Sequence, residues 1–211
     1  MAARSSSAGS RWCDDTCRLY GPDSVFGSTT TNRPPGRRDR ASATSVAGSA
    51  ARSTSCRTKW ATIGVIVNGD NVVATGLFVE HYQKNEVIWN GQDGKIVFFQ
   101  NEMPYDPPSQ AAWTQPDGTL GYPSIHVLNN VKTFQAWGIG SYSFFNQGVN
   151  VFSANGFVVP TKLAAGSVKD AFTIFLDPTH GSGGILNVIN GTGGSSTIAN
   201  PGTVVPVVSY P

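Results

Sequence analysis

The chain has 211 residues, 39% apolar and 10% aromatic, which is enough to build one core of ordinary density. Only 13% are charged, about half the usual globular share of roughly 25%, while 24 Gly and 13 Pro imply many turns, so a coiled coil or helical bundle is excluded. No stretch approaches the ~18 to 20 consecutive apolar residues of a membrane span, and the start Met1-Ala2-Ala3-Arg4-Ser5 lacks the apolar segment of a secretory signal.

The formal charge of +2 conceals a division. All nine Arg lie within residues 1–57 beside four acids, whereas all six Lys lie after it with nine acids. The first part also holds Cys13, Cys17 and Cys56 but only three of 22 aromatics, too few to offset the cost of ordering its backbone. Residues 1–58 therefore read as a disordered or non-native Arg/Ser-rich leader, and 59–211 as the folded domain. The arginines are scattered without interleaved aromatics, so no nucleic-acid partner is expected. Cys13 and Cys17 lack a second ligand pair for a zinc shell. Neither metal nor cofactor is expected.

From Thr62 onward short β-rich runs alternate with Gly/Asn/Asp/Pro punctuation, which predicts an all-β fold. In chain order the predicted strands are 63–67, 72–79, 86–89, 95–100, 124–128, 131–137, 141–145, 149–152, 156–159, 171–176 and 185–189, with room for one short helix at 163–169. Placing Asn68-Gly69 over Asn90-Gly91, a shift of 22 residues, superposes Ala74 on Ile96, Leu77 on Phe99 and Glu80 on Glu102. One coil of a parallel β-helix has about this length, which predicts a single-stranded solenoid. A β-sandwich is the alternative. Segment 104–123, rich in Pro, Gln and Gly, reads as a long loop inserted between coils.

The same register sets Glu80 and Glu102 on adjacent coils, pointing from one sheet. Two carboxylates at that range oppose joint ionisation, so one is expected to stay protonated as a general acid, the arrangement glycosidic cleavage needs. Trp89, Trp113, Tyr82, Tyr105 and Trp137 offer flat faces for sugar rings, and Gln83, Gln100, Asn101 and Gln110 offer amides. His81 follows Glu80 directly, so strand alternation turns it to the opposite face, in a structural role. His126 and His180 show no ligand spacing. Without catalysis, the same residues would serve a carbohydrate-binding or structural β-helix.

The strings Val79-Glu80-His81-Tyr82-Gln83-Lys84, Trp89-Asn90-Gly91, Phe99-Gln100-Asn101-Glu102-Met103-Pro104-Tyr105-Asp106-Pro107-Pro108 and Ala136-Trp137-Gly138-Ile139-Gly140-Ser141-Tyr142 resemble the C-terminal half of glycoside hydrolase family 55, the exo-acting β-1,3-glucanases or laminarinases. The resemblance runs from about Ala61 to Pro211, with nothing before Trp60 matching. It implies right-handed parallel β-helices of the pectin-lyase-like kind, paired in one chain, with β-1,3-glucan in the cleft between them and hydrolysis by inversion. It further implies Glu102 as proton donor and Glu80 within the network positioning the attacking water; from their residue types, Tyr82, Gln83, Trp89, Gln100, Asn101, Tyr105, Trp113 and Trp137 are expected to contact substrate. An N-terminal β-helix half would normally complete the cleft. Its absence would leave a truncated hydrolase of weak or no activity, with an apolar face open to self-association. The family is typically secreted.

Overall fold

The computed structural model describes residues 42–43, 61–176, 179 and 182–211. The expected leader, with Cys13, Cys17 and Cys56, lies outside the described residues except for Ser42–Ala43. So does His180.

Among the described residues the strands are β1 (Ser42–Ala43), β2 (Val65–Val67), β3 (Val73–Phe78), β4 (Val87–Trp89), β5 (Gly94–Glu102), β6 (Ile125–Val127), β7 (Phe134–Ser143), β8 (Val151–Ser153), β9 (Phe157–Val158), β10 (Val168–Phe175), β11 (Gly183–Ile185), β12 (Ser196–Thr197) and β13 (Val205–Tyr210). They form three sheets, ordered β1-β3-β5-β7-β10-β13, β2-β4-β6-β9 and β8-β11-β12. Each strand pairs in parallel with its counterpart one turn of the chain later. The chain thus visits the sheets in rotation and returns one layer higher, which is a parallel β-helix. Antiparallel pairing ends the stack, β12 on β11 and β13 on β10.

The 22-residue register holds: Ala74 lies beside Ile96 and Leu77 beside Phe99. Between β5 and β7 the offset widens to 40 residues, as Ile96 pairs with Ala136 and Asn130 reaches Asn90. The extra length is the inserted segment 104–123, which leaves the wall of the solenoid and returns at β6. Asn68, Asn90 and Asn130 stack at one turn, their amides bonded at 3.3 and 2.7 Å. Ladders of this kind satisfy the polar groups of successive coils.

Inward columns build the core. Ala74, Ile96, Ala136 and Val168 form one, and Leu77, Phe99, Ile139 and Ala171 the next, every member nearly or wholly buried. Two residues further along, the column becomes polar: Asn101, Ser141 and Thr173 are fully buried in register. Ser141 bonds Ser124 at 2.6 Å, and Ser196 donates to Thr173 at 3.0 Å. A second apolar cluster, Met103, Trp113, Phe145, Val151 and Ile185, lies under the inserted segment.

The runs at 131–137 and 141–145 are one strand, β7, bent at Gly138. Gly76, Phe98, Gly138 and Asp170 share this position on successive coils, and all four have φ between 55 and 64°. The ladder register skips each of them. Every long strand is therefore two legs joined by a stacked bulge, which resets the alternation of side chains. The room left for a helix at 163–169 is taken instead by a turn, with Ser167 N–H donating to the Ala164 carbonyl, before β10 begins at Val168. Strands β12 and β13 were not expected, since Ser196–Thr197 is too short to read and Val205–Tyr210 contains Pro206.

Candidate functional site

Strand β5 ends with Gln100 facing outward, Asn101 inward and Glu102 outward, by the ordinary alternation of an extended chain. Glu102 lies opposite Tyr142 of β7, and burial followed by the Glu102 charge pushes that phenol above its usual range. On the other side the His81 N–H donates to the Glu102 carbonyl at 2.9 Å, so the 22-residue register continues past the end of β3 and sets Glu80 beside Glu102.

The Glu102 carboxylate is held by side chains. His81 Nε2 lies 3.2 Å from Oε2, and the Tyr105 hydroxyl donates to the same oxygen. His81 and Tyr105 also touch, their ring centroids 4.4 Å apart, and Phe144 meets Tyr105 edge-on at 5.0 Å. The side chains of His81 and Glu102 are 30% and 26% exposed, so the pair is open to a ligand. Alternation had sent His81 to the opposite face, and the structure corrects this. His81 has φ 65°, a left-handed conformation that breaks the two-residue period and returns the ring to the face of Glu102.

Segment 80–83 is tied to the inserted segment. The Trp113 indole N–H donates to the Gln83 carbonyl at 2.8 Å, and the Gln83 amide reaches Asp106 at 3.4 Å. Behind it lies Glu86, which the sequence reading passed over. It is 1% exposed, and its carboxyl accepts from the Tyr82 N–H at 3.2 Å. Burial pushes this carboxyl up to about 9, against the Tyr82 hydrogen bond, with the nearby Glu80 charge adding to the rise. The Tyr82 phenol is raised too, by burial and then by Glu86.

The aromatic platforms fare unevenly. Trp89 is wholly buried, stacked edge-on against Phe134, and its indole N–H closes against Gly94 inside the solenoid. Trp113 is 3% exposed within the second cluster. Asn101 is fully buried with both amide atoms unpartnered. None of the three side chains reaches an open surface, so their expected contacts with sugar are corrected to structural roles. Tyr82 packs against the core. Gln110 spends its amide on the backbone of Phe152, at 2.6 and 3.1 Å, anchoring the inserted segment. Trp137 is half-buried beside Val97, five residues from Tyr142 along β7, up to about 16 Å at ~3.3 Å per residue, and beyond the bend. Gln83, Gln100 and Tyr105 remain partly open: Tyr105 bonds Glu102, Gln100 lies two residues before it on β5, and Gln83 reaches Asp106. Tyr142 and Phe144, left out of the expected set, join them. No local signal marks His81 or Glu86, because both depend on a turn that periodicity cannot foresee.

Among the described residues no three His, Cys, Asp or Glu side chains gather as a metal site. Burial holds the His126 imidazole below its usual range, on the outer face of β6.

Residues 40–102 match the family model of the LAM55 pectate lyase-like domain. The match begins before Trp60, where the sequence reading had placed the edge of the resemblance, and it includes β1, which pairs with β3. The chain is 41% identical over 158 residues to an exo-β-1,3-glucanase of Streptomyces sp. (strain SirexAA-E / ActE), covering 73% of this chain and 24% of that protein. The structure of sacteLam55A from Streptomyces sp. SirexAA-E is similar with a TM-score of 0.65 and 40% identity, over 72% of this chain and 27% of the other. A variant of sacteLam55A in complex with glucose gives a TM-score of 0.63 at 39% identity, over 72% of this chain and 26% of that one. The chain thus spans about a quarter of the length of these relatives. The parallel β-helix agrees with these matches: over residues 40–102 the chain is similar to the LAM55 pectate lyase-like domain, and over 158 residues to part of an exo-β-1,3-glucanase.

Proposed function

We propose that this chain carries the acid side of a glycoside hydrolase site for β-1,3-glucan, with weak turnover on its own. Glu102 is the proton donor. Its Oε2 is occupied by the Tyr105 hydroxyl and His81 Nε2, which leaves Oε1 to carry the proton toward a leaving oxygen. Glu80, one coil away in the same register, helps to hold the attacking water, and inversion would require the two carboxyls to splay to roughly 6.5–9.5 Å. Gln83, Gln100, Tyr105 and Tyr142 border the place a sugar would take. Trp137, also expected to contact substrate, would meet only a ligand long enough to cross the bend.

The observation that supports this reading most is the outward Glu102 carboxylate, gripped by His81 and Tyr105 in a region 41% identical to an exo-β-1,3-glucanase. A general acid contributes about 10²–10⁴-fold to rate. Incubated with laminarin, the chain should release glucose slowly, and Glu102→Gln should lose at least about 100-fold of that release. Binding of laminarin by both proteins with no glucose from either would favour a non-catalytic carbohydrate-binding module.

A further inference from the structure

Glu86 is a buried carboxyl for which the site described above has no use. A leucine would fill its place without the cost of burying a carboxyl group with so few partners. Both of its oxygens face one donor, the Tyr82 N–H, at 3.2 and 3.4 Å. Its own backbone is pinned: the Glu86 carbonyl accepts from Val65 at 2.8 Å, Val87 N–H donates to Ser124 at 2.8 Å, and the Asn85 side chain donates to the Pro123 carbonyl at 2.8 Å. Glu86 is thus a fixed post. The group it grips belongs to the peptide that follows His81, whose orientation sets how the His81 ring is presented. His81 holds φ 65°, a conformation a non-glycine residue keeps only where its surroundings enforce it.

We propose that Glu86 is a positioning residue, which by clamping the Tyr82 amide fixes the turn that presents Glu80, His81 and Gln83 to Glu102. This rests on Glu102 being the centre of a carbohydrate site. The groups coupled to Glu86 are Glu80 and Tyr82, on its own loop, which also carries His81 and Lys84. Segments 61–65 and 123–125, packed against it, contribute none. A neutral carboxyl serves as the clamp through its carbonyl oxygen, and Gln can replace it there.

The experiment compares wild type, Glu86→Gln and Glu86→Ala by the NMR titration of the His81 ring and by glucose binding. Wild type should show a second inflection of the His81 signal near pH 9, as Glu86 ionises. Glu86→Gln should lose that inflection while keeping the neutral-pH His81 signal and glucose affinity within about twofold. Glu86→Ala should shift the His81 signal and weaken glucose at least tenfold. An unchanged His81 signal and affinity in Glu86→Ala would overturn the proposal, as would a Glu86→Gln protein with a displaced His81 signal. If Glu86→Ala does not fold, the wild-type inflection and its loss in Glu86→Gln decide alone. If wild type binds no glucose, the carbohydrate reading fails, while the His81 titration still decides whether Glu86 orders the turn.

Discussion

The Glu86 carboxyl ties stability to pH with a definite sign. Folded, it titrates at about 9, whereas in the unfolded chain it returns to the ordinary 4.5. Below 4.5 both states hold the proton and nothing is lost. As pH rises toward 9 the unfolded chain releases a proton that the folded one keeps, so stability falls, by up to about 1.4 kcal/mol per pH unit, and levels off above that. Urea midpoints measured from pH 5 to 9 should therefore decline in wild type and decline less in Glu86→Gln. Equal slopes would show that the buried carboxyl is not the source. At this scale the sequence was legible for Glu102 and Glu80, whose register follows from an uninterrupted 22-residue coil. It misled for His81, because alternation assumes φ in the β region and a single left-handed residue reverses the side chain.

Among the elements, the stacked bulge is the feature that shapes the long strands. At Gly138, φ is 63° and an added Cβ would meet nothing within 4 Å, so Gly138→Ala should cost only the conformational penalty, about 1 kcal/mol. Gly91 is the opposite case. A Cβ there would lie 1.9 Å from the Gly69 carbonyl on the adjoining coil, so Gly91→Ala must push two coils apart, at a cost of about 1–3 kcal/mol or more. Denaturant unfolding of the two variants should rank Gly91→Ala as the more damaging, and the reverse order would contradict the coil spacing. The Asn-Gly repeat made that stacking visible from the sequence alone. The bulge stayed hidden, because Phe98 and Asp170 stand in the same column as Gly76 and Gly138 and share no residue type with them.

For the whole molecule, the inserted segment couples the second apolar cluster to the site. Trp113 is buried against Phe145, ring centroids 5.3 Å apart, and its indole N–H holds the Gln83 carbonyl. Trp113→Ala should lower stability by about 3–5 kcal/mol in urea unfolding and also shift the His81 ring signal. A stability loss with His81 undisturbed would show that the segment braces the core without reaching the site. Residue types and their spacing determined by themselves that the domain is built of β-strands, that two neighbouring coils repeat at 22 residues, and that positions 80 and 102 share a register, because each follows from short-range periodicity. Only the tertiary structure decided which aromatics are core and which are open, that His81 and Tyr105 share one oxygen of Glu102, and that Glu86 is sealed behind them. Those facts depend on how far one coil's insertion and one backbone angle carry a side chain, and neither is encoded in the pattern of neighbouring residues.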